Sequence, residues 1–179
     1  MAWDKKWDEF YKSSSGDQYP DPFVIRFVAR NFYHRRLKEE IKILDLGCGS
    51  GSNLWYLSRE GFTSFGIDGS DRVIKKAKEK LDKEDLKADL RIGDFRNLPY
   101  QDNAFNAVID GASIQHNDIP SIKKIISEVM RVLKTEGKFF GLMILEDNSI
   151  SPDKNLSNKD FFTHFSTKEE VRDLFKNFK

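Results

Sequence analysis

The chain contains 179 residues, of which 39% are hydrophobic and 33% charged, and its formal net charge is +1. This length is enough for one domain with its own hydrophobic core and too short for two. Because the charge is near neutral and no strongly basic surface is indicated, nucleic acid is disfavoured as a partner. No stretch approaches the roughly 20 apolar residues of a membrane span, and the first residues lack a secretory signal, so we expect a cytoplasmic protein that does not bind membranes. The only cysteine, Cys48, excludes an internal disulfide and a cysteine-built zinc site.

Residues 1–40 are predicted to form an N-terminal helical cap of two helices. Aromatic residues recur with helical spacing and mark one face of a short first helix: Trp3, Trp7, Phe10 and Tyr11. Asp21 then offers an N-cap and Pro22 the first position of a second helix, which we expect to run to about Lys38.

Residues 41–145 alternate short apolar runs with amphipathic helices, which is typical of a parallel sheet with crossover helices. Five strands are predicted, at residues 42–46, 64–67, 88–92, 105–109 and 138–145. The clearest helix is predicted for residues 120–134, which carry a continuous apolar stripe. In residues 146–179 a polar loop leads to a last helix, opened by a capping box at Ser166 and Glu169. The expected fold is a single α/β domain, a three-layer doubly wound sheet of mainly parallel strands.

The segment Asp45–Gly51, DLGCGSG, lies between the first predicted strand and the first crossover helix. Glycines in such a loop let a ligand approach the backbone closely, and ligands of open α/β sheets bind outside the carboxyl ends of the strands. A dinucleotide-binding fingerprint needs glycine at its sixth position, but Ser52 stands there when counting starts at Gly47. This spacing argues against a NAD-dependent oxidoreductase, which stays open as the alternative among enzymes.

Three aspartates follow the ends of successive predicted strands. Asp68 ends the second strand, Asp94 the third and Asp110 the fourth, so each carboxylate is expected to face the same crevice. A carboxylate after strand two can accept both hydroxyl protons of a ribose. Together with the glycine loop, these acids predict one shared ligand site.

These motifs resemble those of the class I, Rossmann-like S-adenosylmethionine-dependent methyltransferases of the small-molecule type. ILDLGCGSG at 43–51 resembles their motif I, and GIDGS at 66–70 resembles their acidic second motif. Residues 93–110 resemble the third and fourth motifs, and residues 128–140 resemble the helix, turn and strand that follow. The resemblance covers about residues 41–145 and implies methyl transfer from S-adenosylmethionine to a small-molecule acceptor.

For the methionine end of that cofactor, the resemblance implies a role for the glycine loop. Gly47 and Gly49 would bring their backbone near the methionine part, with Cys48 between them as a small buried turn residue. Asp45 would support the loop and the cofactor's amino group, and Asp110 would line the same end.

For the nucleoside end, the resemblance implies that Asp68 holds the ribose hydroxyls. Asp94 would receive the adenine amino group, and the backbone of Phe95 would lie beside the adenine ring. The cofactor supplies the electrophilic methyl group, so the protein mainly holds the acceptor in line with it, a contribution of roughly 7–11 kcal/mol.

The sequence departs from the family pattern in two places. Asn106 follows Phe105 where the family often has aspartate, and no sequence remains for the family's sixth and seventh strands. The very apolar fifth strand would then lie at the sheet edge, which is a poor composition for an open edge. A homodimer could cover this edge, and a catalytically silent or partner-dependent cofactor-binding module remains an alternative to an enzyme.

His116, shortly after strand four, is the candidate general base, with a structural histidine as the alternative interpretation. The aromatic residues Trp3, Trp7, Tyr11 and Tyr19 could fold over a sulfonium cation, or they could simply pack in the core. The histidines and acids show no metal-ligand spacing, so no metal is expected.

Overall fold

The computed structural model describes residues 6–14, 16–145 and 162–178. Five strands form one sheet: β1 (Lys42–Leu46), β2 (Thr63–Asp68), β3 (Ala88–Ile92), β4 (Phe105–Asp110) and β5 (Leu133–Gly141). Their order in the sheet is β3-β2-β1-β4-β5, and all neighbouring strands are parallel. The predicted doubly wound α/β sheet is therefore confirmed.

The helices are α1 (Lys6–Ser13), α2 (Pro22–Phe32), α3 (Ser52–Arg59), α4 (Asp71–Asp82), α5 (Ile119–Val132) and α6 (Lys168–Leu174). Two single-turn 3-10 helices lie at Lys38–Glu40 and Ile114–His116. None of the helices in the described ranges is long and apolar enough to cross a bilayer.

The sheet separates two apolar clusters, since neighbouring strand residues point to opposite faces. Ile43 and Ile109 pack with α2 and α3 on one face. Leu44 and Val108 pack on the other face against α5, which buries Val132 and four residues of its predicted stripe: Ile122, Ile125, Ile126 and Val129. Met130, predicted on the same stripe, is exposed. With both faces covered, the strand ends are the places left for a ligand.

The winding direction of the sheet reverses between β1 and β4. The chain moves from β1 outward to β3 and then returns to place β4 on the other side of β1. At this switch point the last residue of β1, Leu46, pairs with the last residue of β4, Asp110. A crevice outside the carboxyl ends of the strands follows from this topology.

Helix α2 is shorter than predicted, ending at Phe32 rather than near Lys38. Its buried residues, Val24, Val28 and Phe32, are spaced by four. The next position on that stripe is Arg36, which is exposed. Continuing the helix would bury no further apolar surface, so it stops.

The prediction of β5 at residues 138–145 is wrong at both ends. Leu133 already pairs with Phe105, and Lys138 pairs with Ala107, so the strand begins before the turn expected between the helix and the strand. The residues of that turn form an irregularity inside β5. The ladder stops at Gly141 because its partner strand β4 ends at the paired residue. After β5, the only further β-pairing in the described ranges is an isolated bridge between Leu145 and Ser166.

The capping box of α6 lies one residue later than predicted. Thr167 Oγ1 accepts a hydrogen bond from Glu170 N at 3.1 Å, and Glu170 Oε2 accepts one from Thr167 N at 3.0 Å. Ser166 is unsuited to the capping role here because it is buried and its N–H donates to Ile144 O at 3.2 Å.

Candidate functional site

A cavity of about 490 Å³ opens at the carboxyl end of the sheet. Its walls come from the glycine loop, the ends of β2 and β3, the loop after β4, and the N-terminal segment. The sequence-predicted residues among its lining are Trp7, Tyr11, Tyr19, Gly47, Cys48, Gly49, Asp68, Asp94, Phe95 and His116. The size lies within the range of small-molecule sites.

The glycine loop follows β1 in a conformation that other residues would strain. Gly47 has φ +72°, and a Cβ atom there would lie 2.0 Å from Ser113 Oγ. The N–H groups of Gly47 and Cys48 both donate to Ile67 O, at 2.9 and 3.1 Å. The loop is therefore tied to β2, and burial raises the pKa of the Cys48 thiol well above its ordinary value, which keeps it neutral.

Asp68 ends β2 on the cavity wall and is 5% exposed. Its Oδ2 accepts from Gly49 N at 3.1 Å, and its Oδ1 accepts from Ser70 N at 3.0 Å. Burial raises its pKa to about 6, while these amide donors oppose the rise. Each carboxylate oxygen keeps a further acceptor position, so Asp68 can accept hydrogen bonds from a pair of hydroxyl groups.

Asp94 and Phe95 line the cavity just after the end of β3. Arg96 holds the Asp94 carboxylate through its backbone N–H at 2.9 Å and its Nη2 at 2.9 Å. Burial acts against ionisation, but the hydrogen bonds and charge of Arg96 prevail and hold the pKa of Asp94 below its usual range. A fixed, ionised acceptor beside an aromatic residue suits a nucleobase with an amino group.

Two of the predicted cofactor residues do not line this cavity. Asp45 is 1% exposed behind the glycine loop, and neither of its carboxylate oxygens has a hydrogen-bond partner in the described ranges. Burial raises its pKa to about 8; the nearby Asn53 opposes the rise, and the negative charges of Asp110 and Asp68 add to it. A carboxyl with a pKa this high is mostly protonated at neutral pH, so Asp45 bears on a ligand through its support of the loop.

Asp110 is fully buried and supports the loop that follows β4. Its Oδ1 accepts from Ser113 N at 2.8 Å and from Ile114 N at 3.2 Å. Gly111 and Ser113 of that loop line the cavity, whereas Asp110 lines a separate apolar space of about 430 Å³ under α6. Asp110 therefore supports a loop of the cavity wall and does not itself line the cavity.

The N-terminal segment closes one side of the cavity, and two lysines of α4 hold it there. Lys76 Nζ donates to Tyr11 O at 2.6 Å and to Ser14 O at 2.7 Å, both at the carboxyl end of α1. Lys80 Nζ donates to Asp17 O at 2.7 Å. Sequence analysis missed these lysines because helical lysines spaced by four are common on solvated faces. Trp3 lies outside the described residues.

His116 lines the cavity beside the N-terminal segment, in the 3-10 helix after β4. Its ring centroid is 4.9 Å from that of Trp7, in an edge-on arrangement. Its Nδ1 lies 2.9 Å from Phe162 O and 3.1 Å from Thr163 Oγ1. Across the described parts of the chain, no three histidine, cysteine or acidic side chains converge as a metal site would require.

Comparison with known proteins agrees with this arrangement. Residues 43–137 match the family model described as a methyltransferase domain, and the chain belongs to this family. It is 31% identical over 109 residues to the sterol 24-C-methyltransferase of Pneumocystis carinii, covering 59% of this chain and 28% of that protein. It is 26% identical over 126 residues to the demethylmenaquinone methyltransferase of Lactobacillus johnsonii, covering 64% and 51%. The chain thus spans about half or less of the length of these relatives.

A solved structure of an S-adenosylmethionine-dependent methyltransferase from Methanosarcina mazei has a similar fold. The TM-score is 0.73 with 21% sequence identity, and the superposition covers 89% of this chain and 84% of that one. The fold expected from the sequence motifs, including its N-terminal helices, is therefore confirmed.

Proposed function

We propose that this chain binds S-adenosylmethionine in the cavity and transfers its methyl group to a small-molecule acceptor. The observation that carries the proposal is the meeting of the glycine loop and Asp68 in one cavity, with Gly49 N donating to the Asp68 carboxylate. The glycine loop, whose backbone a ligand can approach closely, thus lies beside an acidic hydrogen-bond acceptor at the switch point of a doubly wound sheet.

The cavity residues fit this cofactor at both of its ends. Asp68 would hold the ribose hydroxyls, and Asp94 with Phe95 would hold the adenine. The methionine part would lie along Gly47 and Gly49, where the absence of a Cβ leaves room for close approach. Asp45 would support this loop from behind, and a positively charged amino group bound near its buried carboxyl would favour the ionised form.

The N-terminal wall suits a positively charged sulfur. Trp7, Phe10 and Tyr11 line the cavity, and aromatic faces attract cations by about 0.5–1 kcal/mol at exposed sites and about 2 when desolvated. When bound, the cofactor supplies an electrophilic methyl group. The task left to the protein is to position the acceptor and exclude water.

A small molecule is the proposed acceptor. The two relatives compared above are named for a sterol and a menaquinone precursor, which are apolar acceptors, and the aromatic wall would suit such a molecule. We further propose a cytoplasmic location, supported by the lone, buried Cys48, and a homodimer that covers the edge of β5. Light scattering after size-exclusion chromatography tests the dimer, and a monodisperse monomer would count against it.

The test of the proposed function is calorimetric titration with S-adenosylhomocysteine, with NAD titrated in parallel. Saturable binding of S-adenosylhomocysteine alone is expected, and Asp68→Asn should weaken it about 10–100-fold by removing a charged acceptor. Asp71→Asn, an exposed acid at the start of α4, is the matched control and should bind normally. Absence of binding to a folded wild-type chain would refute the proposed function.

A further inference from the structure

The hydrogen bonds of His116 define which of its ring nitrogens can accept a proton. Its Nδ1 lies 2.9 Å from the carbonyl oxygen of Phe162. A backbone carbonyl only accepts hydrogen bonds, so Nδ1 must be the protonated nitrogen. In a neutral ring, Nε2 then carries the lone pair. Thr163 Oγ1, at 3.1 Å from the same Nδ1, adds a second oxygen on that side.

The surroundings of His116 hold the ring in this orientation. The backbone on its N-terminal side is fixed, because the buried Gln115 accepts from Ile144 N at 2.8 Å through its side chain and from His164 N at 2.7 Å through its carbonyl. Trp7 contacts the ring from the other side. Flipping the ring would put Cδ2 in the place of Nδ1 and lose the hydrogen bond to Phe162 O, while the other tautomer would place the Nδ1 lone pair against that carbonyl oxygen.

The other ring nitrogen is available to a bound molecule. His116 lines the same cavity as Gly47 and Asp68, and within the described ranges Nε2 has no hydrogen-bond partner. A lone pair beside the cofactor cavity and next to an aromatic side chain is the arrangement a proton acceptor needs.

We propose that His116 Nε2 is the general base of the methyl transfer, and that the acceptor is a neutral hydroxyl group carried on an apolar, aromatic small molecule. This inference rests on the proposed function and names its acceptor class. A thiolate or free amine already has a nucleophilic lone pair, whereas a neutral hydroxyl gains reactivity as its proton is removed.

In this step the acceptor oxygen forms a bond to the methyl carbon, and the carbon–sulfur bond breaks with its electron pair going to sulfur. The hydroxyl proton goes to Nε2, so His116 becomes an imidazolium and the sulfur loses its positive charge. The Phe162 carbonyl accepts a stronger hydrogen bond from the charged ring, which stabilises the imidazolium as it forms.

The first test measures the tautomer directly by nitrogen-15 NMR of the histidine rings in the whole chain. His116→Gln assigns the His116 signals, and the spectra are followed to the high-pH plateau with S-adenosylhomocysteine bound. We expect a neutral His116 protonated at Nδ1. A ring protonated at Nε2 would overturn the proposal, while failure to bind S-adenosylhomocysteine would instead refute the function on which it rests.

The second test compares two probes that differ in one atom, 2-naphthol and 2-naphthalenethiol. His116→Gln should slow methylation of the naphthol by about 10²–10⁴-fold, the usual contribution of a general base. Methylation of the thiol should change far less, and the exposed His34→Gln control should change neither. Equal losses for both probes, or no methylation of the naphthol by the wild-type chain, would contradict the assignment.

Discussion

The two ends of the cavity are built in different ways. At the proposed nucleoside end, Asp68 and Asp94 lie at or just after the ends of adjacent strands. Their carboxylates are fixed by amides a few residues away or, for Gly49, in the loop after the neighbouring strand. At the acceptor end, Trp7 and His116 come from segments outside the sheet and depend on contacts with residues far away in the sequence. The contacts proposed for the cofactor thus come from the sheet, and those proposed for the acceptor come from segments around it.

The largest effect is expected from disrupting the glycine loop, on which both ends depend. Gly47→Ala would place Cβ 2.0 Å from Ser113 Oγ, so the loop must move, and S-adenosylhomocysteine binding should weaken by about 100-fold or more. Gly61→Ala is the matched control, because Gly61 also has a positive φ but nothing within 4 Å of its would-be Cβ. It should lose only about 1–2 kcal/mol of stability. Calorimetry and urea unfolding measure the two quantities, and equal loss of binding in both variants would contradict this account.

A second prediction concerns the support behind the nucleoside end. Arg131 pairs with the buried Glu128 at 2.8 Å and donates to Leu98 O at 3.0 Å, so it anchors the loop that follows Phe95. Because Arg131 is partly exposed, Arg131→Met should lower the free energy of unfolding by about 2–4 kcal/mol, somewhat less than for a fully buried pair.

The control for that variant is Arg59→Met, which breaks the exposed pair of Arg59 with Glu84. It should cost less than about 1 kcal/mol. Urea unfolding at neutral pH distinguishes the two, and a cost for Arg131→Met no larger than that of the control would show that the buried pair does not anchor the loop.

The third prediction concerns the effect of the buried Asp45 on the pH dependence of stability. The pKa of Asp45 is raised from its ordinary value of 3.8 to about 8, so the folded state binds a proton there more tightly than the unfolded state. This contributes stability at low pH that is lost as pH rises toward 8. Asp45→Asn should therefore reduce the fall in stability between about pH 5 and pH 8.5, by about 1–3 kcal/mol. Parallel urea curves for the variant and the wild type at both pH values check this, and an unchanged slope would exclude Asp45 as the cause.

The smallest effect is expected at the N-terminal wall. Lys76→Met removes the donor for Tyr11 O and Ser14 O and should weaken S-adenosylhomocysteine binding by about tenfold, with little change in folding. Lys75→Met, which breaks only an exposed pair with Asp71, should bind like the wild type. If both variants bind equally well, the segment held by Lys76 does not contribute to the site.

The difference between the two ends of the cavity also explains which features of the fold and the site could be predicted from the sequence. Strand positions, the glycine loop and the acids at the strand ends follow from local patterns, and the structure brings Gly47, Asp68 and Asp94 to one cavity as predicted. The end of β5 depends on where its neighbour stops, and the shift of the capping box depends on Ser166 pairing with Ile144. Neither of these long-range contacts leaves a signal in the local sequence.

The side chains of Asp45 and Asp110 do not line the cavity, and this too could not be predicted from the local sequence. Both residues follow the family motif, but alternation along a strand and the path of the next loop decide whether a side chain faces the ligand or supports the backbone behind it. The single hydrogen bond between His116 and Phe162 joins residues 46 positions apart, and it could not be predicted from either segment.

The anchoring of α1 by α4 has a kinetic consequence. Lys76 and Lys80 hold the wall of the cavity through bonds to backbone carbonyls, which persist whatever side chains that segment carries. For a molecule beneath this wall to leave, we expect the segment to lift and these bonds to break together. The two lysines would then set the residence time of the spent cofactor, and through it the pace at which successive turnovers begin.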